Sequence, residues 1–150
     1  MIEENPKYKG IGGWLLLFCI VLTIITPILS VSQIISGHVN TGVMTPAVKT
    51  ATIIESVSAV LLHFYGFATG CIVWSGNKRG NVYAKRFLIT NLAGFFVIGI
   101  IVALLVDLPD ARHKVIGSYI ILIPKEIIFF TVWWFYFKKS KRVKYLYENN

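Results

Sequence analysis

The chain has 150 residues and a formal net charge of +8, and 55% of its residues are hydrophobic while only 15% are charged. A soluble domain of this size carries nearer a quarter charged residues, so the composition excludes an ordinary soluble protein. The apolar residues form four long runs, each close to the roughly 20 residues that a helix needs to cross a bilayer. These runs predict membrane spans at about 12–36, 53–75, 87–106 and 117–137.

The four spans are predicted to be helices, because backbone groups in lipid must bond within their own segment or in a closed barrel. A barrel would show shorter segments of alternating polarity, and these runs do not alternate. No internal repeat or long linker divides the chain. The predicted fold is therefore an all-α membrane protein, a single domain over residues 1–150 built as a four-transmembrane-helix bundle.

The first two spans place polar residues near the middle of the membrane. At a rise of about 1.5 Å per residue, Thr26 lies about 18 Å from the boundary at Trp14. His63 lies about 16 Å from the corresponding boundary at Trp74. Glu55 lies about 28 Å from that boundary and is interpreted as a rim carboxylate that reaches water on the far side.

Small residues in the second and third spans predict close contacts between helices. Gly66 and Gly70 lie four residues apart, a pattern of two small residues that lets neighbouring helices approach closely. In the third span, Asn91 and Gly94 are expected to face the bundle for the same reason. Gly99 of this span lies about 18 Å from the boundary, level with the polar residues of the first two spans.

The fourth span is interrupted by Pro124, Lys125 and Glu126. The two charged residues lie about 17–18 Å from the boundary at the end of the span, at the depth of His63 and Thr26. A charged group inside a membrane is costly and is a functional candidate by default. The sequence therefore predicts a midplane polar cluster of His63, Lys125, Glu126 and Thr26, which could clamp helices, hold a polar ligand or ion, or relay protons.

Positive charge is concentrated on one side of this arrangement. Two cations precede the first span, four lie after the second and five follow the fourth, together eleven of the 15. Short basic loops stay in the cytoplasm, so both termini are predicted to be cytoplasmic. The same distribution argues against a nucleic-acid partner and favours anionic lipid. The candidate headgroup-binding residues are Lys78, Arg79, Lys85, Arg86, Lys138, Lys139, Lys141 and Arg142.

Patterns typical of catalytic centres do not occur in the sequence. It contains no GxSxG, HExxH, P-loop or zinc-binding spacing. Cys19 and Cys71 are interpreted as small buried hydrophobes rather than as metal ligands. The sequence therefore favours a protein that is not an enzyme, with no catalytic residue, metal or cofactor.

Two motifs mark the ends of the membrane region, GIGGWLLLF at 10–18 and WWFYFKKSKRVK at 133–144. With these motifs the four-span layout resembles the YdgK-like family of bacterial membrane proteins, a domain of unknown function. That family commonly continues with a Thr-Phe pair, where this chain has YLYENN. The resemblance implies a bacterial inner membrane, and it implies no substrate or cofactor. Gly12 and Gly13, which lack side chains, could let the first helix start close to the basic tail.

Three hypotheses about function follow. The leading hypothesis is a small non-enzymatic accessory or lipid-interacting membrane protein. Its partners would be membrane lipids, anionic ones among them, and either a second copy of the chain or another membrane protein. The alternative is a small transporter or ion-coupled permeation unit that uses the midplane cluster. A third hypothesis is an intramembrane enzyme acting on lipid.

Overall fold

The structure is a computed structural model that describes residues 10–39, 45–106 and 109–148. These residues are mostly helical, and a π-helical segment, Val21–Ile25, lies between the first two α-helices without a break. The α-helices are α1 (Trp14–Ile20), α2 (Thr26–Val39), α3 (Pro46–Trp74), α4 (Gly80–Leu105), α5 (Pro109–Lys139) and α6 (Lys141–Glu148).

Four helical stretches are long and apolar enough to cross a membrane, which confirms the predicted all-α architecture with four candidate spans. Helices α3 and α4 begin about seven residues before the predicted spans. The early start of α3 has a local cause, because Thr45 accepts a hydrogen bond from the Val48 N–H at 3.4 Å. Pro46 occupies the first helical position, where no N–H is needed. The four stretches are Trp14–Ser32, Pro46–Trp74, Gly80–Leu105 and Val115–Lys139.

The first span changes its hydrogen-bonding pattern at half its length. The N–H of Thr26 bonds to the carbonyl of Val21, five residues earlier, as a π-helix requires. The Thr26 hydroxyl donates to the same carbonyl at 2.8 Å. Pro27 follows directly and has no N–H, so the regular series of backbone hydrogen bonds along the helix is interrupted at this point. The π segment and the side-chain bond keep the span helical across the proline.

Helix α3 lies between the first span and α4. A Cβ atom built on Gly70 would lie 2.7 Å from the side chain of Thr23, in the first span. A Cβ atom built on Gly66 would lie 3.0 Å from the ring of Phe87, in α4. Both predicted packing glycines of this helix therefore stand where a neighbouring helix approaches too closely for a larger residue.

Helix α4 in turn lies between α3 and α5. A Cβ atom on Gly94 would lie 3.1 Å from Leu62 of α3, and one on Gly99 would lie 2.8 Å from the ring of Tyr119 of α5. The two glycines face opposite neighbours, so α4 is the helix that connects the second span to the fourth.

The larger buried core lies at one end of the bundle, where α1 and α4 begin and α3 and α5 end. We call this the basic end, because it carries the cations of residues 75–86 and 138–144. A smaller cluster of Ala51, Val102 and Val106 lies toward the opposite, far end. The core at the basic end comprises Leu15, Phe18, Cys19, Leu22, Val73, Ala84, Phe87, Leu88, Trp133, Phe137, Val143, Leu146 and Tyr147.

Candidate functional site

Helix α6 lies across the basic end and closes it. After α5 ends, the hydroxyl of Ser140 accepts a hydrogen bond from the Val143 N–H at 3.4 Å and caps the new helix. Val143, Leu146 and Tyr147, spaced three and one residues apart, all join the buried core. Because α6 is amphipathic, its opposite side is left for the cations Lys141 and Lys144, which are exposed.

Tyr147 fixes the end of α6 to the turn between α3 and α4. Its hydroxyl donates to the carbonyl of Val73 at 2.7 Å. Its ring packs over Gly80, where a Cβ atom would lie 2.7 Å from the ring. Burial raises the pKa of the Tyr147 hydroxyl, so the group keeps its proton and remains a donor. This contact brings α6 next to the basic turn that carries Lys78 and Arg79.

The start of the first span lies directly against Arg142. A Cβ atom built on Gly12 would lie 2.6 Å from Nη1 of Arg142. The adjacent Gly13 has φ 60° and ψ −134°, a conformation that residues with a side chain rarely adopt. The expectation that these two glycines let the first helix start close to the basic tail is therefore confirmed, and Arg142 is the residue that uses the space.

The cations at the basic end differ in exposure. Lys85 and Arg142 are half-buried, and the other predicted headgroup-binding side chains are exposed. The Nζ atom of Lys139 lies 5.2 Å from the centroid of the Phe135 ring, within the range of a cation–π contact. The exposed cations are Lys78, Arg79, Arg86, Lys138, Lys139 and Lys141, together with Lys144 of α6.

At mid-depth, a pair of polar side chains joins the first span to α3. The Oγ atom of Ser30 and the Nδ1 atom of His63 lie 2.6 Å apart. Ser30 also donates to the carbonyl of Thr26 at 2.7 Å. A hydroxyl has one proton, so the Nδ1–H of His63 is the donor to Ser30. His63 therefore faces the first span rather than the fourth.

A second polar pair at similar depth joins α4 to α5. The Nδ2 atom of Asn91 donates to Oε2 of Glu126 at 3.1 Å, and both side chains are half-buried. This hydrogen bond uses only Oε2 of Glu126. The other oxygen, Oε1, can still accept a hydrogen bond.

The residues of the predicted midplane cluster thus have separate environments. His63 bonds to Ser30, Glu126 accepts from Asn91, and Thr26 bonds to the backbone of its own helix. Lys125 is exposed on the outer side of α5, and no hydrogen bond or ion pair joins it to another residue in the described part of the chain. The described contacts do not gather these four residues into one site.

Toward the far end, Glu55 and Tyr119 connect the second and fourth spans. The Tyr119 hydroxyl donates to Oε1 of Glu55 at 3.0 Å, and the Tyr119 ring crosses α4 at Gly99. Glu55 is exposed. Beside the ring, an open apolar groove of about 190 Å³ runs between α4 and α5, with Phe95 and Ile120 among its lining residues.

Sequence reasoning did not predict the partners that the structure gives to Glu55, His63 and Glu126. Tyr119 was not singled out, although depth counting would place it about 27 Å from the end of its span, level with Glu55. Ser30 and Asn91 are uncharged and common in membrane helices, so their residue types gave little signal. Depth counting would not have paired them either, because it places Ser30 about 24 Å and His63 about 16 Å from their boundaries, and Asn91 about 6 Å and Glu126 about 17 Å from theirs.

Among the described residues, His, Cys, Asp and Glu side chains form no group of three or more that could hold a metal ion. Cys19 is buried in the core and Cys71 is exposed, and both are free thiols. Burial was expected of both cysteines, so the interpretation is wrong for Cys71. It lies on an outer face of α3, where an apolar thiol can contact lipid.

Comparison with known proteins gives a family and no function. A family described as a protein of unknown function, DUF2569, matches residues 8–147. No curated protein and no solved structure matches the chain. The match runs from just before the GIGGW motif to the end of α6, so it includes all four candidate spans and the helix that closes the basic end. The chain therefore belongs to the DUF2569 family.

Proposed function

We propose that this protein is a small non-enzymatic membrane protein that binds anionic phospholipids at its basic end. The observation that carries the proposal is the docking of α6. Because Val143, Leu146 and Tyr147 are buried, the cations of α6 are held beside those of the turn between α3 and α4. Each Lys or Arg near an anionic membrane surface contributes about 1 kcal/mol of attraction, so several held together favour anionic headgroups.

The aromatic residues at the basic end support this proposal. Trp14 is 59% exposed and Trp74 is 42% exposed, and neither is in the buried core. Exposed tryptophans prefer the level of the lipid headgroups. Lys139, stacked on Phe135, extends from the same level. The cations of α6 and of the turn would then lie at the height of the lipid phosphates.

The test measures bound phospholipid by native mass spectrometry of the detergent-solubilised protein, titrated with phosphatidylglycerol or with phosphatidylcholine. The variant Lys78→Gln/Lys141→Gln/Lys144→Gln should bind several-fold less phosphatidylglycerol than the wild type, with unchanged binding of phosphatidylcholine. The matched control Lys78→Arg/Lys141→Arg/Lys144→Arg keeps the charge and should bind as the wild type does. Equal binding of both lipids by the wild type, or equal binding by the two variants, would contradict the proposal.

In the proposed orientation the basic end faces the cytoplasm, so both termini are inside. The membrane would be the bacterial inner membrane, as the YdgK-like resemblance implies. Alkaline phosphatase is active only outside the cytoplasm, so a fusion after Asn150 should be inactive and a fusion after Thr45 should be active. The reverse pattern would overturn the orientation.

Ion-coupled permeation is a second candidate function. The observation that favours it is the presence of two titratable side chains, His63 and Glu126, in half-buried polar pairs at mid-depth. Such groups inside a membrane bundle are typical of proton relays. Proton flux is measured in proteoliposomes with an internal pH-sensitive dye. The flux should be lost in Glu126→Gln and kept in the control variant Lys49→Gln. A flux no larger than that of empty vesicles would exclude this candidate.

A further inference from the structure

The outer face of α5 carries an apolar stripe with a lysine at its centre. Ile121, Lys125, Ile128, Val132 and Phe135 recur at spacings of four, three, four and three residues, the repeat of a helix–helix seam. All five are exposed: Ile121 by 77% and Ile128 by 62%, with Lys125 between them. The stripe faces away from the rest of the bundle.

The opposite face of the same helix is already used within the chain. Trp133 and Phe137 are buried in the core, Glu126 bonds to Asn91 and Tyr119 packs on α4. Because this face fixes the rotation of α5, Lys125 cannot turn toward the bundle without breaking these contacts. The lysine therefore belongs to a surface that the fold leaves uncovered.

The depth of Lys125 makes this surface unusual for a face that meets only lipid. By the helix rise, Lys125 lies about 15 Å from Val115 and about 21 Å from Lys139, the two ends of the span. A four-carbon stem cannot carry the ammonium group over either distance to the headgroups. Charged residues at such depth almost always face a bundle interior or pair with another group.

The exposed face of α4 provides the comparison. Its stripe of Ile89, Val97, Ile100 and Leu104 is 51% or more exposed at each position, at least as exposed as Val132 and Phe135 of α5, and it contains no charge. Lipid tails alone cover such a face well. The two faces have similar apolar exposure, so the lysine and not the hydrophobicity of α5 indicates a protein partner.

A second polar group lies beside Lys125. Pro124 has no N–H, so the carbonyl of Ile120 lacks the donor it would have in a regular helix. Both Pro124 and Ile120 are exposed. A partner that brings a protonated or amide side chain to this level could use the carbonyl, whereas a lipid tail could not.

We infer that this stripe is the docking surface for a transmembrane helix of another protein that carries a carboxylate at mid-depth. A second copy of this chain fits less well. Two copies inserted in the same direction would bring two Lys125 side chains together at the seam, and like charges repel there. The acid next to it in sequence, Glu126, is turned toward Asn91. This surface is separate from the basic end, so the inference does not depend on lipid binding.

The test uses a synthetic transmembrane peptide of leucine and alanine with one central glutamate, without tryptophan, carrying a coumarin acceptor at one end. In vesicles, energy transfer from the protein's own tryptophans, two of which are Trp133 and Trp134 of α5, reports association without labelling the protein. At neutral pH, the glutamate peptide should associate with the wild type at least fivefold more strongly than the same peptide with glutamine. Lys125→Met should remove that preference.

A charge exchange distinguishes pairing from a general structural effect. The Lys125→Glu variant should no longer associate with the glutamate peptide, and it should associate with a peptide that has a central lysine. Lys49→Gln, which removes a cation elsewhere, should behave as the wild type does. Because Lys125 is exposed, the variants should keep the thermal transition of the wild type, which is measured alongside.

Three results would overturn the inference. The first is equal association of the glutamate and glutamine peptides with the wild type. The second is an unchanged preference in Lys125→Met. The third is efficient disulfide cross-linking between copies of an Ile128→Cys, Cys71→Ser variant without any peptide, which would assign the stripe to a second copy of the chain.

Discussion

The two halves of the bundle are held together in different ways. At the basic end, the centroid of the Phe18 ring lies 4.8 Å from the centroids of both the Trp133 and the Phe137 ring. Helix α6 packs over these rings. In the other half the buried cluster is small, and polar pairs such as Ser30 with His63 join the helices. Lipid is as apolar as the side chains, so only close packing and hydrogen bonds favour helix contact.

The stability of the bundle should be concentrated at the basic end. None of the residues in the most apolar stretch of the fourth span is fully buried, so the middle of this span is packed less closely than the core at the basic end. Close packing over many atoms adds dispersion contacts that one hydrogen bond cannot match. We therefore expect substitutions at the basic end to lower the free energy of unfolding more than substitutions at mid-depth.

The largest expected effect is that of Phe18→Ala, because Phe18 is fully buried between two rings. In a bilayer the transfer term is small, and the cavity term of about 24 cal/mol per Å³ predicts a loss of about 2 kcal/mol for a void of about 100 Å³. Unfolding in detergent titrated with dodecyl sulfate measures the loss. Phe64→Ala, at a side chain that is 72% exposed, is the matched control and should change little.

Gly13→Ala should have the next largest effect, a loss of about 1–2 kcal/mol, because a side chain is strained at φ 60°. Gly12→Ala is the control at the neighbouring position. There a Cβ atom meets only the end of the flexible Arg142 side chain, which can move aside. The same titration measures the free energy of unfolding of both variants. Equal losses would show that steric space, and not backbone conformation, requires glycine at both positions.

Tyr147→Phe should lower the free energy of unfolding by about 1 kcal/mol, because it removes the buried hydrogen bond to the Val73 carbonyl and keeps the ring. Hydrogen exchange of the backbone amides of α6 should rise in this variant. If exchange in α6 stayed unchanged, the ring alone would hold the helix and the hydroxyl would have no structural role.

The smallest effect is expected at mid-depth. Ser30→Ala and Asn91→Ala each remove one interhelical hydrogen bond, and such bonds in membrane proteins average about 0.6 kcal/mol. The unfolding titration that is used for Phe18→Ala places all variants on one scale. A loss larger at Ser30 or Asn91 than at Phe18 would reverse the comparison and make the polar pairs the main support of the bundle.

Counting along a helix gives a depth only where the boundary is right. Counting from Phe87 places Gly99 about 18 Å from the boundary, yet Gly99 meets Tyr119, which counts to about 27 Å in its own span. The difference arises because α4 begins at Gly80. His63 and Glu126 are both half-buried, each in one polar pair. The partner of each was not predictable. Which neighbour a side chain meets depends on the rotation of its helix and on which helix lies beside it, and both are set by packing.

The four membrane-length helices and the concentration of cations at one end were determined by the amino-acid sequence alone, because hydropathy and charge act along each segment without reference to its neighbours. Only the tertiary structure decided that α6 folds back onto the core, that His63 bonds to Ser30, and that Lys125 faces outward. These features depend on contacts between segments distant in sequence. One such contact, the packing of Trp133 and Phe137 against Phe18, fixes the rotation of α5 and thereby the direction of its lysine.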